Sequence, residues 1–222
     1  MTMTDGPSGN SGNPEPVDRL IDAFKRLPGV GQRSAERMAF HILKSSRDEA
    51  RRLSQAVLDV KEKVTHCSIC STLTERDPCR ICTDERRDAS LVLVVEQPRD
   101  VLAIEQTGLF RGIYHVLTGQ IDPLGGVEPE DLTIPDLLAR IDDPRRNARC
   151  EAIREVILGL NPTLEGDSTG LFLAEALQQR GLAVSRLARG LAAGSQIEYA
   201  TPAMLADALE GRHRLSGPNP TG

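Results

Sequence analysis

The spacing of apolar residues changes character along the chain. From Val17 to Val64, apolar positions recur every three or four residues and predict three helices, the first two separated by "LPGVG" at residues 27–31. From residue 89 onward, short continuous apolar runs replace this pattern, as in strands that are covered on both faces of a sheet. The sequence therefore predicts a helical module followed by a different architecture.

The later part of the chain alternates strands with helices. Strands are predicted at 91–95, 112–117, 155–160 and 182–188, and helices at 98–108 and 169–181. A last helix is predicted to begin in "TPAMLADALEG", where a threonine can cap the helix and a proline fits its first turn. This alternation indicates an α/β fold with a mostly parallel sheet.

Composition divides the chain into five parts. Its beginning is rich in Gly, Pro, Ser and Asn, which predicts a disordered tail. Together with the alternating strands and helices, this composition predicts an α/β, multi-module protein with a short helical region at the C-terminus. The predicted parts are the tail at 1–16, a helical module at 17–64, a cysteine-containing segment at 65–88, the α/β domain at 89–187, and a C-terminal segment with its own tail at 188–222.

Charge is distributed unevenly between these parts. Residues 17–64 carry 11 Lys and Arg against 7 Asp and Glu, a net charge of +4. Subtracting these from the totals of 27 and 32 leaves 16 basic and 25 acidic residues, a net charge of −9, for the rest of the chain. A basic module on an acidic body favours nucleic-acid contact through the module. Trp is absent and aromatic residues are few, which argues against a broad base-stacking surface.

The chain shows no sign of membrane insertion or export. No apolar run reaches membrane-spanning length, and the N-terminus lacks the basic-then-apolar order of a signal peptide. We therefore expect a cytosolic protein. In that reducing compartment, closely spaced cysteine pairs point to metal or redox chemistry rather than to structural disulfides.

Four of the five cysteines form two Cys-x-x-Cys pairs within "CSICSTLTERDPCRIC". Four thiolates close a tetrahedral zinc site and leave no position for a water molecule, so we predict one structural zinc ion per chain. Redox cysteines normally occur as a single pair at a helix start. Cys150 is expected to be an unremarkable thiol. The predicted ligands are Cys67, Cys70, Cys79 and Cys82.

The "LPGVG" segment is the first candidate for DNA contact. Gly29 and Gly31 let the backbone turn with its N–H groups unshielded, and the next helix presents the positive end of its dipole. Arg33 and Arg37 lie one turn apart on that helix, and Lys25 precedes the turn. This spacing resembles a helix-hairpin-helix motif, which binds nucleic-acid phosphates without reading sequence. An ordinary tight connection between two helices is the alternative.

Three carboxylates follow predicted strands. Glu96 comes directly after the first strand, and Glu165 and Asp167 follow the third. Ligands gather beyond the carboxyl ends of strands in open α/β sheets, so we expect these side chains to converge. The cluster is a candidate site for magnesium or for a basic partner. Capping by Asp167 or Ser168 of the helix predicted to begin near Thr169 is the structural alternative.

The order of these features resembles the RecR family of bacterial recombination mediators. The resemblance covers residues 17–212 and rests on "LPGVGQRSAERMAFHIL", the four-cysteine finger, "VVEQPRDVLAIEQTGLFRGIYHVLTGQIDPLGGVEPEDL", "NPTLEGDSTG" and "GSQIEYATPAMLADAL". It implies a Toprim fold, in which a Glu after the first strand and an acid-x-acid pair after a later strand bind magnesium. Glu96 and the pair Glu165 and Asp167 match those positions. Glu128 departs from the pattern, because a second Gly is expected there.

The resemblance implies a non-enzymatic, DNA-binding protein of recombinational DNA repair. Such a protein acts with RecO and RecF to help load RecA onto gapped DNA. We accordingly expect sequence-independent binding to single-stranded, double-stranded or gapped DNA, contacts with RecO-like and RecF-like proteins, and a bacterial, nucleoid-associated location. A dimer or tetrameric ring is expected, because several weakly binding hairpins gain effective concentration when they are joined. The segment 194–211 is expected to contribute to the interface.

A small Toprim nuclease is the alternative function. It would use Glu96, Glu165 and Asp167 for two-metal cleavage. A topoisomerase would need a tyrosine nucleophile, and only Tyr114, in a predicted strand, and Tyr199 are available. No basic residue is clearly placed in the sequence to stabilise a leaving phosphate, which favours the mediator.

Overall fold

The protein is described by a computed structural model in which residues 12–212 are placed. The chain divides between Val64 and Thr65 into two compact units. Most of the predicted N-terminal tail and the last ten residues of the predicted C-terminal tail lie outside the described residues. The first helix begins at Glu15, two residues before the start that the apolar pattern predicts.

The first unit consists of the three helices predicted for it. They are α1 (Glu15–Lys25), α2 (Gln32–Lys44) and α3 (Arg47–Lys63). α1 and α2 pack around Ile21, Ala35 and Ala39, which are buried. The two alanines lie one turn apart on α2, and because their side chains are short they let the helix backbones approach closely. This packing fixes the turn between α1 and α2.

The third helix is stabilised by local interactions. Ser46 accepts a hydrogen bond from the backbone N–H of Glu49, and the Glu49 carboxylate accepts one from the N–H of Ser46, which forms a capping box. No residue of α3 is buried within the described chain, although Leu53, Val57 and Val60 on it are apolar. An apolar helix face therefore remains open on the first unit.

The second unit contains a small hairpin and a four-stranded sheet. β1 (Thr65–His66) pairs antiparallel with β2 (Leu73–Thr74), and these strands carry the first cysteine pair between them. The sheet has the order β4–β3–β5–β6, and all its pairings are parallel, which confirms the predicted α/β class. Its strands are β3 (Asp88–Val95), β4 (Gly112–Val116), β5 (Glu155–Gly159) and β6 (Ala183–Arg186).

Within residues 12–212, four α-helices accompany the sheet, and two of them differ most from the sequence prediction. The four are α4 (Pro98–Glu105), α5 (Ile134–Asp142), α6 (Leu164–Gln178) and α7 (Pro202–Glu210). α5 was not predicted. α6 begins five residues before the predicted start, because Thr163 caps it by accepting a hydrogen bond from the N–H of Gly166 at 3.1 Å. The alternative in which Asp167 or Ser168 caps this helix is therefore wrong, because both residues lie inside it.

The cysteine segment shares one hydrophobic core with the sheet. All four paired cysteines belong to the same buried cluster as residues of β3, β4 and β5. The backbone N–H of Val116, at the end of β4, donates to the carbonyl oxygen of Cys70 at 2.8 Å. The finger is thus packed directly onto the first strands of the sheet.

One histidine of β4 is fully buried. The Nε2 atom of His115 lies 2.9 Å from the carbonyl oxygen of Thr133, to which the ring donates a hydrogen bond. Burial, and after it the charge of Arg140, lowers the pKa of His115 to about 3, so the ring is neutral at physiological pH. The residue therefore fixes the segment before α5 to the sheet.

Candidate functional site

Four cysteine sulfurs meet at one point of the second unit. The Sγ atoms of Cys67, Cys70, Cys79 and Cys82 all lie within 4.8 Å of one another, and all four residues are buried. The Sγ atoms of Cys70 and Cys79 are 3.6 Å apart. A tetrahedron with zinc–sulfur distances of about 2.3 Å has sulfur–sulfur distances of roughly 3.8 Å. The four sulfurs therefore fit a single zinc ion.

The surroundings of the sulfurs also suit a metal centre. The backbone N–H of Cys79 donates to the sulfur of Cys67 at 3.3 Å, and the N–H of Cys82 donates to the sulfur of Cys79 at 3.5 Å. Interaction with the Cys67 sulfur, together with burial, raises the pKa of the Cys70 and Cys82 thiols. A divalent cation removes this penalty, because coordination deprotonates a thiol outright.

Glu96 lies where the sequence places it, directly after β3. The residue is buried, and its carboxylate accepts two hydrogen bonds from Asn161: one from the backbone N–H at 2.8 Å and one from the side-chain amide at 2.5 Å. Asn161 follows β5, the neighbouring parallel strand. Glu96 therefore holds together the chain segments that leave two adjacent strands.

Glu165 and Asp167 lie in the first turn of α6, on either side of Gly166. A methyl group at Gly166 would lie 2.1 Å from the carbonyl oxygen of Asn161 and 3.1 Å from Oε1 of Glu96. The start of α6 thus packs its backbone against the Glu96 segment, and only glycine leaves room for this approach. The three acidic residues therefore come from neighbouring segments at the carboxyl ends of β3 and β5. We call the end of the sheet that carries Glu96, Glu165 and Asp167 the acidic edge.

An arginine that the sequence did not indicate also lies at this edge. Arg189 forms an ion pair with Asp167, and this contact lowers the pKa of the Asp167 carboxyl group. The two residues are 22 positions apart, and no local pattern marks the pair. Across residues 12–212, no group of three or more metal-binding side chains other than the cysteine cluster brings its ligand atoms within 4.8 Å. A magnesium ion at the acidic edge remains a prediction.

The turn between α1 and α2 exposes backbone N–H groups. Gly29 has φ of +77°, a left-handed conformation that favours glycine. Gly31 occupies the position before α2, where no side chain caps the first amides, and the first turn of α2 contains no acidic residue. A methyl group at either glycine would meet no atom within 4 Å. The positive end of α2 is therefore open to an incoming anion.

The basic residues predicted for DNA contact surround this turn. Arg33 and Arg37 are exposed on α2. Lys25 ends α1 and lies 3.5 Å from Asp22, which partly compensates its charge. Glu36 lies between the two arginines in sequence, and its carboxylate accepts a hydrogen bond from Gln32 at 2.5 Å. Within residues 12–212 neither Arg33 nor Arg37 forms an ion pair, so both are available to a phosphate at the exposed amides.

No helix within residues 12–212 is both long enough and apolar enough to cross a bilayer.

Three family models match successive parts of the chain. Residues 17–61 match the RecR helix-hairpin-helix model, and residues 64–84 match the RecR zinc finger domain with four cysteines. Residues 90–188 match the Toprim domain. These ranges contain the exposed turn, the four-sulfur centre and the acidic edge, respectively.

Curated relatives match over nearly their whole length. Recombination protein RecR of Moorella thermoacetica is 48% identical over 202 residues, which cover 91% of this chain and 98% of the relative. The protein of the same name from Heliobacterium modesticaldum is 47% identical, with 90% and 98% covered. That of Staphylococcus saprophyticus is 44% identical, with 91% and 98% covered. At this identity and coverage, the chain belongs to the RecR family.

Proposed function

We propose that this protein is a non-enzymatic mediator of recombinational DNA repair that binds the DNA backbone without sequence preference. The observation that carries the proposal is the open turn between α1 and α2. There, uncapped amides at Gly31 and the side chains of Arg33 and Arg37 offer contacts to phosphate, and no acidic side chain lies in the first turn of α2. The relatives' name, recombination protein, supports the same function.

Salt dependence tests this contact. Each phosphate contact adds about 0.9 to the slope of log affinity against log salt concentration for duplex DNA. Replacing Arg33 and Arg37 by alanine should therefore flatten the slope by about two. Replacing Arg51 and Arg52 on α3 by alanine removes the same charge from the same module, and serves as the control. Equal slopes for both double variants would place the DNA contact elsewhere.

Gly31→Ala separates the backbone contact from charge. The new methyl group meets no protein atom within 4 Å, and the residue has an ordinary φ of −85°, so the fold should tolerate it. The methyl would occupy the space in front of the first amides of α2, where we place the phosphate. We expect weaker DNA binding with an almost unchanged melting temperature. Native affinity in Gly31→Ala would remove the amides from the proposed interface.

We further propose that the acidic edge of the sheet docks a basic partner, such as a RecO-like or RecF-like protein, during RecA loading on gapped DNA. Exposed carboxylates repel phosphate and attract basic proteins. Glu165 is the residue to test, because Glu96 is buried and its loss would disturb the fold. Glu165→Gln should weaken partner binding and leave DNA affinity unchanged. Glu175→Gln, on the same helix, is the matched control.

A metal-dependent nuclease is the second candidate. Arg189 favours it, because a cation beside an acidic cluster could stabilise a leaving phosphate. The mediator proposal predicts no cleavage of gapped or single-stranded DNA with magnesium or manganese. Cleavage that disappears in Glu165→Gln and in Arg189→Ala would establish the nuclease instead.

We also propose that the cysteine centre holds one structural zinc ion per chain. Cys67, Cys70, Cys79 and Cys82 would hold it, and the ion would supply the cross-link that closes the finger. With four protein ligands the site has no open coordination position, so a role in catalysis is not expected. Elemental analysis of freshly purified protein should find one zinc per chain, and metal-free native protein would contradict the proposal.

We also propose that the protein assembles into a dimer or a tetrameric ring. We place it in the bacterial cytoplasm, beside the chromosome. Two apolar surfaces support assembly. Ile197 and Tyr199, within the predicted interface segment, are 67% and 79% exposed, and Val57 and Val60 on α3 are 59% and 61% exposed. Exposed apolar surface of this kind marks protein–protein contacts. Light scattering should show at least a dimer at micromolar concentration, and Val57→Lys and Ile197→Lys would identify which surface is used.

A further inference from the structure

Arg140 is an arginine in the interior of the second unit. It lies on α5 and is 2% exposed. Its Nη1 atom donates to the carbonyl oxygen of Tyr114 at 2.8 Å and to that of Ile69 at 3.1 Å, and its Nε atom donates to Oδ1 of Asn147 at 2.9 Å. Its Nη2 atom is buried and has no hydrogen-bond partner within the described chain. Nη1 also lies 3.5 Å from Nδ1 of the neutral His115, so all the hydrogen-bond partners of Arg140 are uncharged.

This arginine lacks the usual counter-charge. Among residues 12–212, no carboxylate lies within 4 Å of its guanidinium group. A guanidinium group stays protonated in proteins, and an isolated buried charge is strongly unfavourable. A compensating negative charge must therefore come from another group.

The cysteine centre is the nearby source of negative charge. Arg140 bonds to the carbonyl oxygen of Ile69, which lies inside the first Cys-x-x-Cys pair and directly precedes Cys70. Burial lowers the pKa of Arg140, and the charges of the four cysteine sulfurs oppose that shift. A zinc ion with four thiolates has a net charge of −2. The buried cation and the loaded centre therefore complement each other.

We infer that Arg140 is the counter-charge of the zinc–thiolate centre and, through it, couples metal binding to the stability of the sheet domain. This inference rests on the zinc occupancy proposed above. With zinc bound, the guanidinium group lies near a centre of opposite charge. Loss of the guanidinium group leaves the doubly negative centre without its buried positive neighbour, which weakens zinc binding. Groups beyond the direct ligands typically change metal affinity by 10–100-fold.

Zinc release to a chromogenic chelator tests the inference on the full chain. Arg140→Met removes the charge and retains the length of the side chain, and it should accelerate release by roughly tenfold. Arg140→Lys retains the charge and should stay within about threefold of the native rate. Arg145→Met is the control, because Arg145 is an exposed arginine on the same side of the domain and pairs with Asp143 at 2.8 Å. This control should release zinc at the native rate.

Metal-dependent melting supplies the second readout. Zinc should raise the melting temperature of native protein more than that of Arg140→Met, because the variant binds zinc more weakly and gains less stability from binding. Equal zinc-induced shifts in the two proteins would overturn the inference. If Arg140→Met does not fold, zinc release from Arg140→Lys decides the question. Release at least tenfold faster than from native protein would assign the effect to hydrogen bonding rather than to charge, and would overturn the inference.

An anion from solution is the competing source of counter-charge. A cavity of about 350 Å³ lies beside Arg140 and is also lined by Arg145, Arg146 and Asn147. If an anion in this cavity compensated Arg140, inorganic phosphate would raise the melting temperature of native protein and have no effect on that of Arg140→Met. That result would overturn the inference, and phosphate-independent melting supports it. Native protein purified without zinc would overturn both this inference and the zinc proposal, whereas zinc-loaded native protein with an unaffected Arg140→Met would overturn this inference alone.

Discussion

Replacing Gly166 by alanine tests whether the first turn of α6 is held against the Glu96 segment by backbone contact. The added methyl carbon would lie 2.1 Å from the carbonyl oxygen of Asn161, a backbone atom that no rotamer change can move away. Either α6 or the Asn161 segment must shift. Such a shift disturbs the two hydrogen bonds that Asn161 donates to the buried Glu96 carboxylate.

The magnitude follows from these contacts. Forcing a methyl group into filled space costs roughly 1–3 kcal/mol, and loss of hydrogen bonds to a charged group costs roughly 1.5–3 kcal/mol. Alanine regains about 1 kcal/mol over glycine within a helix. We therefore expect Gly166→Ala to lower the free energy of unfolding by about 1.5–5 kcal/mol.

Gly170 provides a matched control on the same helix. A methyl group there has Cδ1 of Leu160 as its nearest neighbour, at 3.6 Å, which is ordinary van der Waals contact. Gly170→Ala should raise the free energy of unfolding by about 0.5–1 kcal/mol. Urea unfolding followed by circular dichroism compares both variants with native protein. A Gly166→Ala protein as stable as Gly170→Ala would refute the proposed contact.

Three further measurements examine the centre, the core and the acidic edge. Cys67→Ser should lose zinc and unfold at lower urea concentration. Cys150 is exposed and outside the cluster, so Cys150→Ser should keep one zinc per chain by elemental analysis. Metal retained in Cys67→Ser would contradict this prediction. Because the pKa of His115 is lowered to about 3, the unfolded chain binds a proton that the folded protein excludes. The contribution of His115 to the free energy of unfolding is therefore complete above about pH 6.5 and decreases as the pH falls toward 3. The loss should be about 2 kcal/mol at pH 5 in native protein and absent in His115→Gln. Parallel pH profiles of the unfolding free energy in the two proteins would contradict this prediction. Arg189→Ala should return the pKa of Asp167 toward its usual range in an NMR titration. An unchanged titration would mean that the two residues do not form an ion pair in solution.

The features that could be predicted from sequence are those with a strong local pattern. The strand β3 lies in a continuous apolar run, and such runs indicate strands buried on both faces. The turn at Gly29 and Gly31 is set by two glycines between amphipathic helices, and the sulfur cluster by the spacing of the cysteines. In each case the residues that decide the structure are neighbours in the chain.

The features that the prediction missed depend on contacts between distant residues or on short patterns. The start of α6 lies in "LEGDST", which has little apolar periodicity, although Thr163 followed by two first-turn acids is a recognised helix-start signal. α5 spans only Ile134–Asp142 and buries an arginine on its apolar face, so its pattern is interrupted. The pairing of Asp167 with Arg189 arises from tertiary packing, and no sequence rule indicates it.

The absence of any buried residue on α3 within the described chain has a consequence for how this helix opens. Its capping box is worth about 1 kcal/mol, and its side-chain pairs, such as Lys63 with Asp59 at 2.9 Å, about 0.5 kcal/mol each. Helices of such length are marginal in water when they depend on local interactions alone. Amide hydrogens of α3 should therefore exchange with solvent far faster than those of β3 in dilute protein. If a second protein chain covers α3, the exchange rate of its amide hydrogens becomes a measure of assembly. Order in this helix then depends on protein concentration as well as on sequence.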